Sequence, residues 1–311
     1  MAQVFVVLLI LLTNTSLRKN DSFFFVLNKY TIIMHTIRLY SKAPAILIDT
    51  SYFIFYRYFS TLKWYQFKNK DIIYTDIDKD NEFITSFEKH VLQDMKKMCK
   101  KWNTTLTNMV FCCDCSRDRI WRNEHHDNYK GLRVQNPTFN PNIFVKFYEY
   151  LEKNQTKWGI HMLNVDRLEA DDVVYFTKKT LIDKGWNVPI IIITNDNDYL
   201  QLLDNNTIIY NMNGKGGDLS KRSTGNPQLD LRIKMIMGDK SDNIVPIHSG
   251  IGQKTAMKLA TLSHDDFEAY LDKHQCRNVY LKNKKLVDFC EIPMELSQEF
   301  HSAYQFELFD A

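Results

Sequence analysis

Short apolar runs bounded by turn residues alternate along this chain with longer stretches in which apolar residues recur at helical spacing. The runs are Ala45 to Ile48, Met109 to Cys113, Ile160 to Val165, Pro189 to Thr194 and Thr207 to Met212, and the helical stretches include Phe87 to Trp102 and Ala170 to Lys184. Strand and helix in alternation predict an α/β fold with a central, mostly parallel sheet flanked by helices. Beyond Asn213 the pattern changes: NGKGGDLSKRSTGNPQ is a Gly, Ser and Lys rich loop, and nearly everything after Leu229 reads as helix. Three regions follow: an N-terminal extension of unknown role (1–43), an α/β core (44–213) and a helical subdomain (214–311).

Composition narrows the class. The chain has 311 residues, 44% hydrophobic and 25% charged, which describes a soluble globular protein and excludes disordered and collagen-like chains. A net charge of +3 is weakly basic, but clustered acids mask basic patches in such a sum. Cysteines at 99, 112, 113, 115, 276 and 290 form no C-x-x-C framework, which predicts a reduced, intracellular protein with Cys112 and Cys113 packed as small hydrophobes. The opening MAQVFVVLLILL has no preceding Lys or Arg and no clear cleavage site, and it is short for a membrane span. It reads as an extension or as translated upstream sequence with the working start at Met34; a weak signal is the third reading.

Nine acids stand at the ends of the apolar runs or at helix starts: Asp49, Asp114, Glu169, Asp171, Asp172, Asp196, Asp198, Asp239 and Asp242. Each cluster has a structural explanation, since acids favour helix N-termini and Asp caps the helix after a strand. Together they converge at the carboxyl ends of parallel strands, where ionised acids repel each other unless cations or protons neutralise them. Oxygen ligands without a His or Cys cluster favour Mg²⁺ or Mn²⁺ over zinc. Paired ions about 4 Å apart suit phosphodiester hydrolysis. On a helix, Glu169 and Asp172 share a face and Asp171 is rotated away, so two of the three bind directly.

Two further segments point to phosphate. Residues 121 to 133, WRNEHHDNYKGLR, follow Arg117 and Arg119 and combine Arg122, Lys130 and Arg133 with Trp121 and Tyr129, suiting phosphate contact and base stacking. His125 and His126 are adjacent, point apart and read as surface residues. In SGIGQKT, Gly250 and Gly252 permit a tight backbone approach to phosphate, with Lys254 and Thr255 opening the next helix.

The blocks ILIDTS, WRNEHHDNYKGLR, EADD, TNDNDYLQLL and GDKSDNI, in this order between about Ala45 and Leu271, resemble the structure-specific 5′ nucleases: flap endonucleases, phage 5′-3′ exonucleases and the 5′ nuclease domain of bacterial DNA polymerase I. The resemblance implies a PIN-like or resolvase-like core with a helix-three-turn-helix DNA-binding subdomain. It implies an arch over about 115–158, with Lys130 and Arg133 catalytic and Arg122 and Tyr129 contacting DNA. Asp49, Asp114, Glu169, Asp171 and Asp172 would serve one metal region, and Asp196, Asp198, Asp239 and Asp242 the other. Implied ligands are Mg²⁺ (two or more ions, Mn²⁺ substituting) and K⁺ at the Gly250 hairpin. The implied substrate is DNA with a 5′ flap or 5′ end, or an RNA–DNA hybrid, cut by a monomer in replication or repair, with no membrane partner.

The chain departs from the family in two places. Ile244 to Ser249 is one residue longer than the usual connection, and Arg57 lies one position further from Asp49 than the family's basic residue. Gln305, Leu308 and Phe309 only half match a sliding-clamp peptide, so no clamp contact is expected. A noncatalytic DNA-junction binding protein is the rival reading, and a phosphomonoesterase a weaker one.

Overall fold

The computed structural model describes residues 24–27, 30–134, 136–214 and 216–310; the opening MAQVFVVLLILL run lies outside them. A hairpin of β1 (Phe24–Leu27) and β2 (Tyr30–Ile33) precedes β3 (His35–Tyr40) and β4 (Ala45–Asp49). Two long helices follow, α1 (Thr50–Lys68) and α2 (Asn81–Trp102), then β5 (Met109–Cys112), α3 (Asn142–Trp158), β6 (His161–Leu163), α4 (Ala170–Asp183), β7 (Ile190–Ile193) and β8 (Thr207–Tyr210). The remaining helices are α5 (Pro227–Met237), α6 (Gln253–Ala260), α7 (His264–Lys273), α8 (Arg277–Val287) and α9 (Met294–Ala303), and β9 (Tyr304–Phe309) ends the fold.

Local chemistry sets the helix boundaries. Asp80 accepts from the Glu82 and Phe83 amides to start α2, and Asn103 in the left-handed region ends it. Asn226 caps α5 with Pro227 at its first position, where a missing N–H costs nothing.

The strands β6, β5, β4, β7 and β8 form one parallel sheet in that order. Period-two alternation divides their side chains between two cores. Ala45, Leu47, Val110, Cys112, Ile190 and Ile192 face α4 and α9, whereas Ile46, Ile48, Met109, Phe111, Ile191 and Ile193 face α1, α2 and α3. A third core, with Ile236, Ala256, Phe267 and Leu271, holds α5, α6 and α7 together. All six cysteines are free, with Cys112 and Cys113 buried. Among the described residues no helix is long and apolar enough to cross a membrane.

The α/β fold with its parallel sheet agrees with the sequence reading, but three details differ. The helical pattern beyond Leu229 stops at Ala303: Tyr304–Phe309 is a strand, pairing in parallel with β3. Its alternation explains this, because Tyr304 and Phe306 point into the sheet core while Gln305 and Glu307 face water. The segment read as a half-matched clamp peptide is thus part of this strand. Second, β3 lies within the stretch read as extension, yet Ile37 and Leu39 are core residues. Third, α3, the second half of the expected arch, buries Ile143, Phe147 and Leu151 against the sheet and belongs to the core.

Phe306→Ala should lower stability in urea denaturation by about 3–5 kcal/mol, because it empties a buried site beneath α9. Glu307→Ala, which removes only the exposed pair with Arg38, should cost less than about 1 kcal/mol.

Candidate metal centre

From β4 in the middle of the sheet, the chain builds outward to β5 and β6 on one side and to β7 and β8 on the other. Such a reversal opens a crevice at the carboxyl ends of the strands. Asp49 closes β4, Asp114 follows β5 and Asp196 follows β7; these three line one crevice with Glu169, Asp171 and Asp239. Asp49 caps α1, accepting from the Tyr52 amide at 3.1 Å and the Thr194 hydroxyl at 2.9 Å. Asp114 accepts from the Ser51 hydroxyl and, at 2.9 Å, from the Ala170 amide.

Two carboxylate groupings present oxygens within 4.8 Å of one another: Glu169, Asp171 and Asp172 at the start of α4, and Asp198, Asp239 and Asp242 across two loops. The second loop turns at Gly238, whose φ of +66° admits glycine and where a Cβ would meet the Ile244 carbonyl oxygen at 2.4 Å. Asp239 and Ile244 then exchange both backbone hydrogen bonds, at 2.9 and 2.7 Å, and close the loop. An all-oxygen anionic donor set of this kind fits a hard divalent cation.

Four basic side chains partly neutralise the acids. Lys130 bonds Glu169; Arg133 bonds Asp242; Lys234 lies 2.5 Å from Asp198 and also bonds Asp239. Arg122 donates to Glu169 at 2.8 Å and to both Asp172 oxygens at 2.8 and 2.7 Å. Among the described residues no basic group pairs with Asp49, Asp114, Asp171 or Asp196.

The acids titrate accordingly. Burial, then Asp114, raises the Asp49 carboxyl to about 6. Burial also raises Asp114, although the Ser51 and Ala170 hydrogen bonds oppose it. Asp171 rises well above the carboxylate range through burial and then Asp172. Asp196, which water reaches at the rim, is raised toward about 7 first by desolvation from the surrounding protein and then by Asp198. Burial pushes Asp239 up, but Lys234 and Ser241 outweigh it and leave the group at about 2. Glu169 likewise falls because Lys130 and Arg122 outweigh its burial.

Several side chains stand where sequence reasoning did not put them. Glu169 precedes α4 in extended conformation, so helical spacing does not apply to it; Asp171 faces the crevice and Asp172 turns inward. Arg122 is 1% exposed and Tyr129 7% exposed, so neither is a DNA contact: Arg122 clamps the start of α4, and the Tyr129 hydroxyl meets Glu169 and Asp242 at 3.2 and 3.3 Å. Trp121, fully buried, donates from its indole N–H to Asp172 at 2.9 Å and cannot stack on a base. Arg57 is buried against Asp94 and does not line the crevice. His126 is half-buried, 2.8 Å from the Asn243 carbonyl.

The basic segment is docked on the 239–243 loop, with the Lys130 amide donating to the Asp242 carbonyl at 3.0 Å. Lys130 and Arg133 reach the crevice from there. At the hairpin, Gly250 has a φ of +81°, and Gly252, Lys254 and Thr255 are exposed at the start of α6. Its longer connection is held by His248, whose Nε2 lies 2.5 Å from the Tyr270 hydroxyl. Lys234 was missed from sequence; a lone lysine among apolar helix positions gives no signal until the 198 and 239 loops are brought beside it.

Residues 44–226 match the model of the 5′-3′ exonuclease, N-terminal resolvase-like domain. The chain is similar to DNA polymerase I of Pseudomonas aeruginosa, 30% identical over 71% of the chain but only 22% of that protein, so it spans about a fifth of this relative's length. It is 27% identical to a 5′-3′ exonuclease of Bacillus subtilis, covering 69% of the chain and 68% of the relative. Its fold is like that of the bacteriophage T5 flap endonuclease in a pseudo-enzyme–product complex with DNA and metal ions: TM-score 0.54, 17% identity, covering 83% of this chain and 96% of that one.

Arg122→Met should cost about 3–5 kcal/mol in urea denaturation, because it leaves buried Asp172 without a cation and takes one of two from buried Glu169. Arg119→Met, which loses an exposed pair with Asp166, should cost less than about 1 kcal/mol. The raised Asp49 carboxyl means that the folded chain holds a proton more tightly than the unfolded one. Its contribution to stability is full below 3.8 and is lost as pH rises through about 6. Metal-free melting temperature should therefore carry a falling component over that window. The rise in melting temperature on adding Mg²⁺ should be larger at about pH 8 than at about pH 5, since the ion takes the ionised acids.

Proposed function

Because this chain belongs to the 5′-3′ exonuclease family, whose members are hydrolases, and carries that family's kind of acidic metal clusters, we propose that it cuts DNA phosphodiesters near 5′ single-strand/duplex junctions. The observation that carries the reading is the pair of carboxylate groupings at the head of the parallel sheet, bordered by Lys130 and Arg133.

Asp49, Asp114, Glu169 and Asp171 would hold one divalent ion, with Asp172 behind them orienting Arg122; Asp196, Asp198, Asp239 and Asp242 would hold a second. Bound there, Mg²⁺ or Mn²⁺ supplies Lewis-acid charge to the phosphoryl oxygens and acidifies water. Lys130 and Arg133 reach into the same crevice, where their charge offsets that of the reacting phosphate. Their other contacts, Glu169 and Asp242, keep them aimed at this spot rather than into solvent. Duplex DNA would lie against the exposed Gly250 hairpin: its backbone admits close approach, and the amides at the start of α6 attract a phosphate alongside Lys254 and Thr255. A K⁺ ion at this hairpin belongs to the same proposal, as do the 214–311 subdomain's role in DNA binding and a monomeric state.

Cleavage of a 5′-labelled flap duplex tests the reading. Mg²⁺ should give junction-proximal products and EDTA none. Asp171→Asn and Arg133→Ala should each slow cleavage by about 10²-fold or more. Arg133→Ala should cost less stability than Arg122→Met, since the Arg133 side chain is 45% exposed and Lys130 remains 3.8 Å from Asp242. Tight binding of the flap without metal-dependent cutting would make this a junction-binding protein.

A further inference from the structure

The two carboxylate groupings differ in how they are neutralised without metal. Asp49, Asp114 and Asp171 have no basic partner among the described residues, so the first region keeps uncompensated charge for a divalent ion. In the second grouping, by contrast, each of Asp198, Asp239 and Asp242 has a basic partner within the chain, and in the wider region only Asp196 has none among the described residues. Arg133 pairs with Asp242, and Lys130 lies 3.8 Å from it. Lys234 joins the other two acids, 2.5 Å from Asp198 and bonded to Asp239.

Lys234 is well placed to do this. It sits one turn before the end of α5, flanked by buried Ile233 and Met235, and its carbonyl accepts from the Gly238 amide where the acidic loop begins. Its backbone is therefore held in the helix, and its ammonium projects between two loops that meet only in the folded chain. The side chain is 21% exposed, leaving it a path into the crevice.

We propose that Lys234 is a built-in counter-ion of the second carboxylate grouping, holding the place toward which a divalent ion is drawn, so that the second ion binds weakly and only by displacing the ammonium group. This rests on the metal-hydrolase reading above. The exchange is a competition between cations for Asp198 and Asp239. It separates the chain's two metal regions into one available at rest and one that opens only when its resident charge moves. A close charge pair of this kind is strong enough to change the affinity for a competing cation by about tenfold or more.

The test is Mn²⁺ binding to the full metal-free chain without DNA, followed by the electron paramagnetic resonance of the free ion. Wild type should show one tight and one weak class of site. Lys234→Met should leave the tight class unchanged and tighten the weak one by about tenfold or more, whereas Lys234→Arg, which keeps the charge, should leave both as in wild type. Because Lys234→Met strips a counter-ion from clustered acids, a second readout uses wild type alone. Acetylation of Lys234, followed by mass spectrometry, should accelerate over the Mn²⁺ range that fills the weak class. Unchanged affinities in Lys234→Met, or Lys234 acetylation that stays constant or slows, would overturn this inference while leaving the metal-hydrolase reading standing. Absence of any bound Mn²⁺ in wild type would overturn both.

Discussion

Mutual repulsion among nine carboxylates at one end of a sheet is the constraint on which the rest of the structure depends. Charges so close, partly withdrawn from water, demand opposite charge or protons. The fold answers with Arg122, with Lys130 and Arg133 at the two ends of one turn, and with Lys234, each pairing with at least one acid far away in sequence. The four acids without such partners are the ones whose carboxyls are pushed upward, Asp49 and Asp196 to about 6 and 7. Metal affinity and the metal-free fold are thus two aspects of one electrostatic problem.

The same pairs join the two halves of the molecule. Arg122 reaches Glu169 and Asp172 at the start of α4 and the Leu286 carbonyl at the end of α8, so one buried guanidinium ties the α/β core to the helical part. Tyr129 packs beside Ile244, Leu231 and Leu286 while its hydroxyl meets Asp242. The segment from 126 to 133 thereby becomes a wall of the crevice. Its charged tips, Lys130 and Arg133, are aimed by contacts made on its other face.

Much of this could be read along the chain. The apolar runs ending in Asp49 and Asp114 are strands of a parallel sheet, and their acids meet because parallel strands put all their carboxyl ends on one side. Gly250 and Gly252 sit where a tight approach to a backbone is possible. What could not be read was direction. Arg122 and Arg133 look alike in sequence, yet one is 1% exposed and the other has a side chain that is 45% exposed. Arg57 likewise has a buried acidic partner, Asp94, that no local pattern reveals. β9 was read as helix or peptide because six terminal residues gain a strand's identity only when β3 offers them an edge.

By itself, then, the sequence determined the kinds of element, their order, and the chemistry of the crevice, because periodicity and residue type are local properties. The tertiary structure alone decided which acids stay unpaired, which basic groups are buried clamps and which line the crevice, and that Lys234 enters the second acidic grouping. Those outcomes depend on distances between residues tens to more than a hundred positions apart. Electrostatic energy, unlike hydrophobic period, changes steeply with such distances and with the water left between them.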